Sequence, residues 1–554
     1  MVAPHPARHP GTGRNRARDT PKGRQVTDDA RAAIALLLGT RDRRRDLLIE
    51  HLHLIQDAHG RIPTDLLAAL AEAVKLSFAE VFETATFYAH FDVTDLDPPV
   101  QIRVCDSLPC AMAGAEALAQ AIAAGTSARL NKVPCVGRCD QAPVVVVGQN
   151  QITHATAEKV MAALMAGRTK AELPATMEYS SYVGSRGYSL LGRVRRGEVA
   201  AETILATLDQ AKLAGKGGAG FPTGRKWRTV RDQPGPRLMV VNADEGEPGT
   251  FKDHYHLRAD PHRFLDGMLI AAEVVGISEI YIYLRDEYPH LRAMLTVEIA
   301  KLPQDGPPIH LRRGAGAYIC GEESAMIESI EGKRGLPRNK PPFVFQNGLF
   351  GRPTLVNNIE TLFWVRDIVE HGAAWWRDQG RNGRAGLISF SVSGRVRNPG
   401  VKLASAGITL HELIDEFCGG MAQGHLLRAY LPGGASGGIL PASLADVPMD
   451  FGTLEQYGCF IGSAAVVVLS DQDDLRAAAL NLMRFFRHES CGQCTPCRLG
   501  TAKAADLMGQ TVWDIDLLGE LSAVMRDASI CGLGQAAPNP LLTLLRHFPE
   551  EFTQ

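Results

Sequence analysis

The spacing of its cysteines constrains this 554-residue sequence more than any other feature. Of the 11 cysteines, seven stand in short groups with two to four residues between neighbours. Such spacing in a long chain without a secretory signal is typical of reduced thiolates that hold metal, and not of a disulfide framework. Cys320, Cys418 and Cys459 stand apart in the sequence, which predicts small buried side chains.

The last group is the loop Cys491-Gly-Gln-Cys494-Thr-Pro-Cys497, and Cys531 follows it in the segment Ile-Cys-Gly-Leu-Gly. Three neighbouring thiolates and one distant thiolate suit a 4Fe-4S cluster, whereas zinc ribbons usually supply two separated C-x2-C pairs. The loop therefore predicts one 4Fe-4S cluster, with zinc as the alternative.

The first two groups are Cys105 with Cys110 after a predicted strand, and Cys135 with Cys139 before another. Two pairs of thiolates from two loops suit the two irons of a 2Fe-2S cluster. Zinc is the weaker alternative, because neither C-x4-C nor C-x3-C is its favoured C-x2-C spacing. Two cluster motifs in one chain predict electron transfer.

A glycine-rich segment runs from Gly215 to Gly220 and is followed by Lys226 and Trp227. Its G-x-G-x-x-G pattern is a weak signal alone, and a plain glycine-rich turn is the alternative. A run of backbone N–H donors with two lysines close by suits a phosphate group. The segment therefore predicts a nucleotide-binding loop.

Acidic residues fill the segment from Asn242 to Asp253, directly after a predicted strand. An α/β fold places its ligand crevice at this end of its strands, where carboxylates can accept hydrogen bonds from ribityl or ribose hydroxyls. A solvated acidic turn is the alternative. The segments Gly314 to Glu323, Lys340 to Phe343 and Val356 to Thr361 add glycines, aromatic rings and amides of the same kind.

Other functions are disfavoured by the sequence. Gly434-Ala-Ser436-Gly-Gly438 matches the nucleophile motif of α/β hydrolases, but flanking prolines prevent the helix that should follow it. The net charge of -2 predicts no nucleic-acid partner, and no apolar run reaches the roughly 18 residues of a membrane span. Residues 1–25 are basic and lack an apolar stretch, so we expect a flexible arm on a cytoplasmic protein.

Periodicity indicates several elements along the chain. Helices are predicted over Asp46 to Ala58, with Gly60 as its C-cap, from Thr64 onwards, and over Ala111 to Ala123. Short strands are predicted at 101–104, 238–241 and 280–284 and a buried strand at 144–147, and the segments 387–392 and 466–469 are expected to bracket a smaller α+β unit. Alternation of helices and strands from 198 to 369 predicts a doubly wound core, and the end of the chain from Asp473 is predicted to be helical.

Together these motifs resemble the NADH-oxidising flavoprotein of respiratory complex I with its 2Fe-2S partner chain joined in front, nearly from end to end. The fusion resembles the diaphorase subunits of soluble NAD-linked formate dehydrogenases and NAD-reducing hydrogenases. Residues 45–56 and 83–91 look most similar to the formate enzymes. All four front cysteines are present, whereas some hydrogenase diaphorases lack members of that set.

The resemblance implies an α/β multidomain fold with a thioredoxin-like ferredoxin domain, a Rossmann-like FMN and NAD domain, a β-grasp domain and a C-terminal helical iron-sulfur domain. The expected boundaries are a basic arm (1–25), a helical bundle with the 2Fe-2S domain (26–172), a linker (173–197), the FMN and NAD domain (198–384), the β-grasp soluble-ligand-binding domain (385–470) and the 4Fe-4S domain (471–554).

The resemblance also implies the cofactors FMN, NAD, one 4Fe-4S and one 2Fe-2S cluster. The residues expected to hold FMN are Gly215, Lys216, Gly217, Gly218, Asn242, Asp244, Glu245, Tyr318, Gly321, Glu322, Asn357 and Asn358. Those expected to meet NAD(H) are Phe221, Lys226, Glu247, Lys340 and Phe343, with Phe221 and Phe343 as candidates to sandwich a planar ring. Hydride transfer belongs to FMN, so no side chain is expected to act as acid or base.

The partner implied is the molybdenum- or tungsten-containing catalytic subunit of a formate dehydrogenase, with further iron-sulfur clusters. A hydrogenase or a complex I-type dehydrogenase is the alternative partner for the same module. A nucleotide-sensing scaffold held together by zinc, without redox activity, is the alternative from another class of function.

Overall fold

The computed structural model describes residues 25–96, 100–303 and 305–552, so the predicted basic arm lies outside the described residues except at Gln25. The chain forms two compact units. The first comprises the described residues up to Thr86 together with 91–96, and the second comprises residues 87–90 and the described chain after 99. Among the described residues, no helix combines the length and apolar character needed to cross a membrane.

The first unit is a bundle of helices. They are α1 (Asp28–Leu38), α2 (Leu48–His59), α3 (Thr64–Ala73) and α4 (Phe78–Phe87). Thr27 caps α1 by accepting a hydrogen bond from the Ala30 amide at 3.2 Å. Gly60 ends α2 with a left-handed φ of 68°, and α3 begins at Thr64, so both predictions are confirmed.

The second unit begins with a small α/β domain. Its elements are β1 (Gln101–Cys105), α5 (Leu108–Met112), α6 (Ala115–Gly125), β2 (Arg129–Val133), β3 (Val145–Val147), β4 (Asn150–Ile152) and α7 (Ala157–Met165). The sheet order is β2-β1-β3-β4, with β2 parallel to β1 and the other pairs antiparallel. The helix predicted over Ala111 to Ala123 is interrupted at Gly114, whose φ of 84° no right-handed helix allows.

The central domain is built on a parallel sheet. Its elements are α8 (Tyr179–Gly184), α9 (Ser189–Arg195), α10 (Ala201–Gln210), α11 (Thr223–Arg231), β5 (Arg237–Ala243), α12 (Lys252–Ala259), α13 (Pro261–Val275), β6 (Ile277–Leu284), α14 (Pro289–Ala300), β7 (Ile309–Arg313), α15 (Glu323–Ile330), β8 (Thr354–Asn358), α16 (Ile359–Phe363), α17 (Val365–His371) and α18 (Ala373–Arg377). The order β7-β6-β5-β8 is parallel throughout. The chain runs outward from β5 to β7 and then returns to the other side of β5, so β5 and β8 flank the topological switch point where such sheets bind ligands.

The prediction of a linker at 173–197 is wrong. This stretch carries α8 and α9, and Tyr182, Leu190, Leu191 and Val194 are buried. The three aliphatic side chains belong to the same apolar core as the parallel sheet. Two Ser-Tyr pairs and several glycines resemble a loop in sequence, but burial of the intervening apolar residues stabilises short helices there.

A third sheet follows the central domain. Its elements are β9 (Leu387–Gly394), β10 (Gly400–Ser405), α19 (Leu410–Glu412), β11 (Leu427–Leu431), β12 (Leu440–Pro441) and β13 (Ala465–Ser470). The order β10-β9-β13-β11-β12 is mixed, because only β9 and β13 are parallel.

The C-terminal part is helical, as predicted from its sequence. It contains α20 (Leu475–Glu489), α21 (Thr495–Met508), α22 (Ile515–Ala528), α23 (Gly532–Ala536) and α24 (Asn539–His547). Cys491 and Cys494 lie between α20 and α21, Cys497 lies in the first turn of α21, and Cys531 directly precedes α23. The helices therefore bring the distant cysteine back to the loop.

Candidate functional site

A cavity of about 360 Å³ lies at the carboxyl ends of β5 and β8, where Asn242 is paired in register with Asn358. This volume is in the range of small-molecule and cofactor sites. The glycine-rich loop forms one wall and the acidic segment after β5 forms another. The site is therefore at the switch point that the strand order predicts.

The structure places nine of the residues expected to hold FMN in the wall of this cavity: Lys216, Gly217, Gly218, Asn242, Glu245, Tyr318, Gly321, Glu322 and Asn358. The other three lie behind the wall. Gly215 donates its amide to the Phe221 carbonyl at 2.9 Å, and the Asn357 side chain accepts a hydrogen bond from the Trp227 indole at 3.0 Å. Asp244 lines a neighbouring cavity.

Sequence reasoning assigned no role to many of the residues in the wall: Ala219, Gly246, Thr250, Lys252, Asp253, Ile319, Ser436, Phe460, Gly462, Ser463, Gly532, Leu533 and Ala536. Lys252 and Asp253 belong to the acidic segment, so a signal for them was present. Ser436 and Phe460 come from the third sheet domain and Leu533 from the C-terminal helices. No local pattern marks those residues, because only the folded chain brings them to the cavity.

The glycine-rich loop depends on small residues at its turn. Gly220 has a φ of 64°, and a Cβ atom there would stand 2.6 Å from the Phe451 ring. The amide of Lys216 donates to the Thr361 hydroxyl at 2.8 Å, which fixes the loop to α16. Burial lowers the pKa of the Lys216 ammonium, although the Glu360 carboxylate opposes this. An anion in the cavity would compensate the desolvated charge.

Lys252 is the cation at the base of the cavity. It is 2% exposed, and its ammonium lies 2.8 Å from Asp253 Oδ1 and 3.1 Å from Glu360 Oε2. Burial alone would lower its pKa, but the carboxylates of Asp253, Glu360 and Glu245 outweigh burial and raise it. Asn358 completes this network by donating to Asp253 Oδ2 at 2.6 Å. The base of the site is thus a buried group of compensated charges.

Two glutamates of the acidic segment are held in place by several donors. Glu245 accepts the amides of Asp253 and His254 at 2.6 and 3.0 Å and so caps the start of α12. Burial, followed by the charge of Asp253, raises the pKa of Glu245 to about 8. Glu247 accepts the amide and hydroxyl of Ser436 at 2.7 Å and the Tyr318 hydroxyl. Ser436 is therefore a hydrogen-bond donor to the site, as expected for a motif that is no nucleophile elbow.

Of the residues predicted to meet NAD(H), Glu247 lines the cavity and Lys340 lies at its rim, next to the wall residue Glu322. Lys340 pairs with Glu322 and Glu323, both at 3.0 Å, and these carboxylates raise its pKa against the lowering effect of burial. Lys226 donates to the Val356 carbonyl at 3.2 Å and lies 5.9 Å from the centre of the Phe221 ring.

The two rings proposed as a sandwich are both partly exposed, Phe221 by 41% and Phe343 by 44%. Phe343 is stacked on Phe345, with ring centres 5.7 Å apart. Phe221 lies under the Arg225 guanidinium at 5.6 Å. Both rings thus present surface to solvent, and their sandwich around a ligand stays a prediction.

The C-terminal cysteines meet beside the cavity. Cys497 is buried, whereas Cys491, Cys494 and Cys531 are half-buried. Cys531 Sγ accepts the amides of Leu533 and Gly534, a pattern that stabilises a thiolate in a cluster. A Cβ atom on Gly534 would stand 2.8 Å from that of Cys497, so glycine is required there. Because Leu533 also lines the cavity, the thiol group and the cavity share a wall.

The front cysteines also form one buried group. Cys135 Sγ and Cys139 Sγ are 3.2 Å apart, and the thiol of Cys105 is in hydrogen-bond range of those of Cys110 and Cys135. Cys139 Sγ accepts the Gly249 amide. Four buried thiols from two loops fit the ligand set of a 2Fe-2S cluster. In the described part of the chain, no group of three or more His, Cys, Asp or Glu side chains is arranged to hold a single metal ion.

The acidic segment connects this thiol group to the cavity. Phe251 packs against Cys135 and Cys139. Arg285, 5% exposed, donates to the carbonyl oxygens of Cys135 and Glu245, both at 2.6 Å. One buried guanidinium therefore joins the front thiol loop to the cavity wall.

Comparisons with known proteins agree with this arrangement. Residues 208–367 match the Nuo51 FMN-binding domain, 477–554 the NADH-ubiquinone oxidoreductase-F iron-sulfur binding region and 34–168 the thioredoxin-like [2Fe-2S] ferredoxin. The mitochondrial NADH dehydrogenase [ubiquinone] flavoprotein 1 of Dictyostelium discoideum is 40% identical over 67% of this chain and 85% of its own.

Two further relatives cover nearly the whole chain. NAD-reducing hydrogenase HoxS subunit alpha of Cupriavidus necator is 35% identical over 91% of both chains. A crystal structure of NAD+-reducing [NiFe]-hydrogenase in the H2-reduced state contains a chain with a TM-score of 0.82 and 32% identity, covering 92% of this chain and 93% of that one. The expected fold class, the two cluster domains and the FMN-binding domain are thereby confirmed.

Proposed function

The chain belongs to the family of NADH-binding, FMN- and iron-sulfur-containing flavoprotein subunits, and on that premise we propose that it is the NAD-reducing subunit of a molybdenum- or tungsten-containing formate dehydrogenase. One observation carries the electron-transfer part of this proposal. The loop that carries Cys531 forms part of the cavity wall, and so does the acidic segment, whose Gly249 amide binds Cys139. Both groups of cysteines are therefore connected directly to the cavity.

Bound FMN supplies the exchange between a two-electron hydride and the single electrons that iron-sulfur clusters carry. The role of the chain's own residues is to bind FMN and to orient it. The glycine-rich loop and Lys216 would face the FMN phosphate, while Glu245 and Asn358 would offer acceptors and donors to the rest of the cofactor. In the formate direction, Cys491, Cys494, Cys497 and Cys531 would hold the 4Fe-4S cluster that supplies single electrons, and FMN would supply the hydride transfer to NAD+.

Two features favour a formate dehydrogenase partner. The segments 45–56 and 83–91 resemble the β subunits of the formate enzymes. The front set is also complete, with Cys105, Cys110, Cys135 and Cys139 all buried together, which fits a working 2Fe-2S cluster in this position.

An NAD-reducing hydrogenase partner is the second candidate. The relative from Cupriavidus necator shares the fused architecture over 91% of both chains, unlike the flavoprotein of Dictyostelium discoideum, which covers 67% of this chain. The same module would then receive its electrons from a nickel site.

Copurification separates these partners. We expect an affinity-tagged chain, isolated from its native host, to bring down a subunit containing molybdenum or tungsten and to reduce NAD+ with formate. A nickel-containing partner and hydrogen-dependent NAD+ reduction would overturn the formate assignment. A colourless preparation without NADH:ferricyanide activity would overturn the diaphorase function itself.

Lys340→Met tests the rim as the dinucleotide site. Without Lys340, the carboxylates of Glu322 and Glu323 lose their countercharge and repel the anionic dinucleotide. We expect the KM for NADH to rise about 10- to 100-fold, with flavin content unchanged, since one lost charged contact is worth about 1.5–3 kcal/mol.

Steady-state kinetics with ferricyanide measures this effect. Lys301→Met is the matched control, because Lys301 also pairs with a glutamate at 2.9 Å but directly follows α14, away from the rim. An equal KM in wild type and Lys340→Met would remove Lys340 from the proposed site.

A further inference from the structure

A second cavity of about 430 Å³ lies directly behind the first. Gly246 and Tyr318 line both cavities and so form the partition between them. The other walls are β2 with the Cys135 loop, the loop after β6, and the end of α20. Arg129 and Lys132 on the β2 wall are exposed, so this side of the cavity reaches solvent.

Polar atoms without protein partners line this second cavity. Asp244 Oδ2, Arg285 Nε, Glu287 Oε2 and Arg103 Nε are buried and have no hydrogen-bond partner among the residues that the structure describes. Asp244 and Arg285 are each only 5% exposed. Buried polar atoms are nearly always satisfied by protein or ordered water, and this space is polar and large enough for several water molecules. The cavity is therefore built to hold water.

Asp244 differs from the carboxylates that line the first cavity. Both oxygens of Glu245 and of Glu247 accept hydrogen bonds from protein donors. Asp244 Oδ2 accepts none from the described residues, and it lies 3.6 Å from the position a Cβ atom would take on Gly321, a wall residue of the first cavity. Asp244 thus lines the second cavity and lies directly behind the wall of the first.

The proposed function creates a need for such a residue. Oxidation of NADH yields NAD+, two electrons and one proton, and the iron-sulfur clusters accept only the electrons. The hydride reaches the flavin without a proton, so one proton must leave the site when the two electrons depart. In the reverse direction one proton must enter. A dinucleotide stacked on the flavin would cover the open face of the site during turnover.

We propose that the second cavity is a water-filled proton chamber and that Asp244 passes the proton between it and the flavin cavity. This inference rests on the proposed diaphorase function. The proton released from the flavin site would move to Asp244, then to the chamber water, and leave past the β2 wall.

The electrostatic surroundings of Asp244 are consistent with this role. Burial raises its pKa well above the usual range, the Arg285 guanidinium opposes this, and the charges of Glu287 and Glu489 add to the rise. The groups that also face it from the remaining elements are Tyr88, Tyr283 and Cys320, all neutral because burial raises each of their pKa values. Asp244 therefore holds a proton at pH values where an exposed aspartate is ionised.

Asp244→Asn is the direct test, because it keeps the side-chain shape and removes the titrating group. Stopped-flow measurements on the flavin- and cluster-loaded chain follow two half-reactions. We expect proton release to a pH-indicator dye during reoxidation by ferricyanide to slow about tenfold or more relative to the rate at which NADH reduces the flavin of the same variant. Asp232→Asn, an aspartate at the end of α11 and away from both cavities, is the control.

A second variant keeps the test independent of Asp244. Leu130→Trp on β2 fills the chamber from the solvent side and is expected to slow proton release in the same way. Infrared difference spectra between wild type and Asp244→Asn add a readout without turnover: above the pH at which an exposed aspartate ionises, they should contain the carbonyl stretch of one buried carboxylic acid, and the difference between wild type and Asp232→Asn should not.

Normal proton release in both variants would overturn the proton chamber. Slow flavin reduction with normal proton release would also overturn it, because Asp244 would then only position the cofactor. A wild-type chain whose flavin NADH does not reduce would instead overturn the proposed function, so the two failures are distinguishable.

Discussion

Replacing Cys497 by serine is expected to abolish electron transfer between this chain and a redox partner, while NADH still reduces the flavin. Cys497 is the buried member of its group, and the charges of Cys491, Cys494 and Cys531 all act on it. Iron-sulfur clusters are held by thiolates, and a serine at the buried corner removes one of the four ligands.

Iron analysis and electron paramagnetic resonance measure the result. We expect a loss of about four iron atoms per chain and of the 4Fe-4S signal, with the 2Fe-2S signal retained. Partner-dependent NAD+ reduction should fall to background, whereas NADH:ferricyanide activity persists because ferricyanide can take electrons from the flavin.

Cys418→Ala is the matched control for this substitution. Cys418 is fully buried in the apolar core of the third sheet domain, where burial raises the pKa of its thiol to about 11. Its iron content and partner activity should equal those of wild type. Retention of the 4Fe-4S signal in Cys497→Ser would contradict the ligand assignment.

Lys252→Met is expected to lower the free energy of unfolding of the central domain by about 3–5 kcal/mol, because removing one member of a buried ion pair leaves the other charge uncompensated. The ammonium of Lys252 lies within 3.1 Å of both Asp253 and Glu360, and all three side chains are nearly inaccessible to solvent. Flavin content should fall as well, since Lys252 lines the cavity.

The same variant should reverse the pH dependence of stability. In wild type, burial acts to raise the pKa of Glu360, but Lys252, His256 and Lys216 outweigh it and lower the pKa below 4.5. The stability that the Glu360 carboxylate contributes is therefore present above the pKa of Glu360 in the unfolded chain, and it is lost as the pH falls through the pKa of Glu360 in the folded chain. Without Lys252, burial raises the pKa of Glu360 in the folded chain above its pKa in the unfolded chain. The stability that Glu360 contributes is then present below the unfolded-state pKa and is lost as the pH rises through the folded-state pKa.

Urea unfolding at pH 5 and pH 8, followed by tryptophan fluorescence, measures both effects; Trp227 and Trp376 are buried in this domain. Lys503→Met, an exposed lysine on α21, is the control and should unfold at the urea concentration of wild type. Equal stability of Lys252→Met at the two pH values would show that the carboxylates find another countercharge.

The sequence predicted most of the site because the chemistry is local. Cys491, Cys494 and Cys497 lie within seven residues, and this spacing alone predicts a 4Fe-4S ligand set. The matched family of iron-sulfur binding regions confirms the cofactor that it implies. The glycine-rich loop and the acidic segment were also readable, since a phosphate loop needs small residues and adjacent donors. Their individual contacts with FMN and NAD(H) stay predictions.

The errors have physical causes too. Residues 173–197 were predicted as a linker because their polar and glycine residues outnumber the apolar ones that pack. Yet Leu190, Leu191 and Val194 of α9 join the core of the central domain, and Tyr179 of α8 packs against that core. Tertiary burial overrides weak local preference in short segments.

By itself the sequence determined which cofactors the chain holds, because metal ligands and phosphate loops are defined by residue type and short-range spacing. Only the tertiary structure decided how the sites meet. Ser436 and Leu533 reach the cavity from other domains, Arg285 joins the front thiol loop to the acidic segment, and Asp244 faces a second cavity. These contacts link residues far apart in the chain, and burial and close packing, which no local pattern encodes, bring them together.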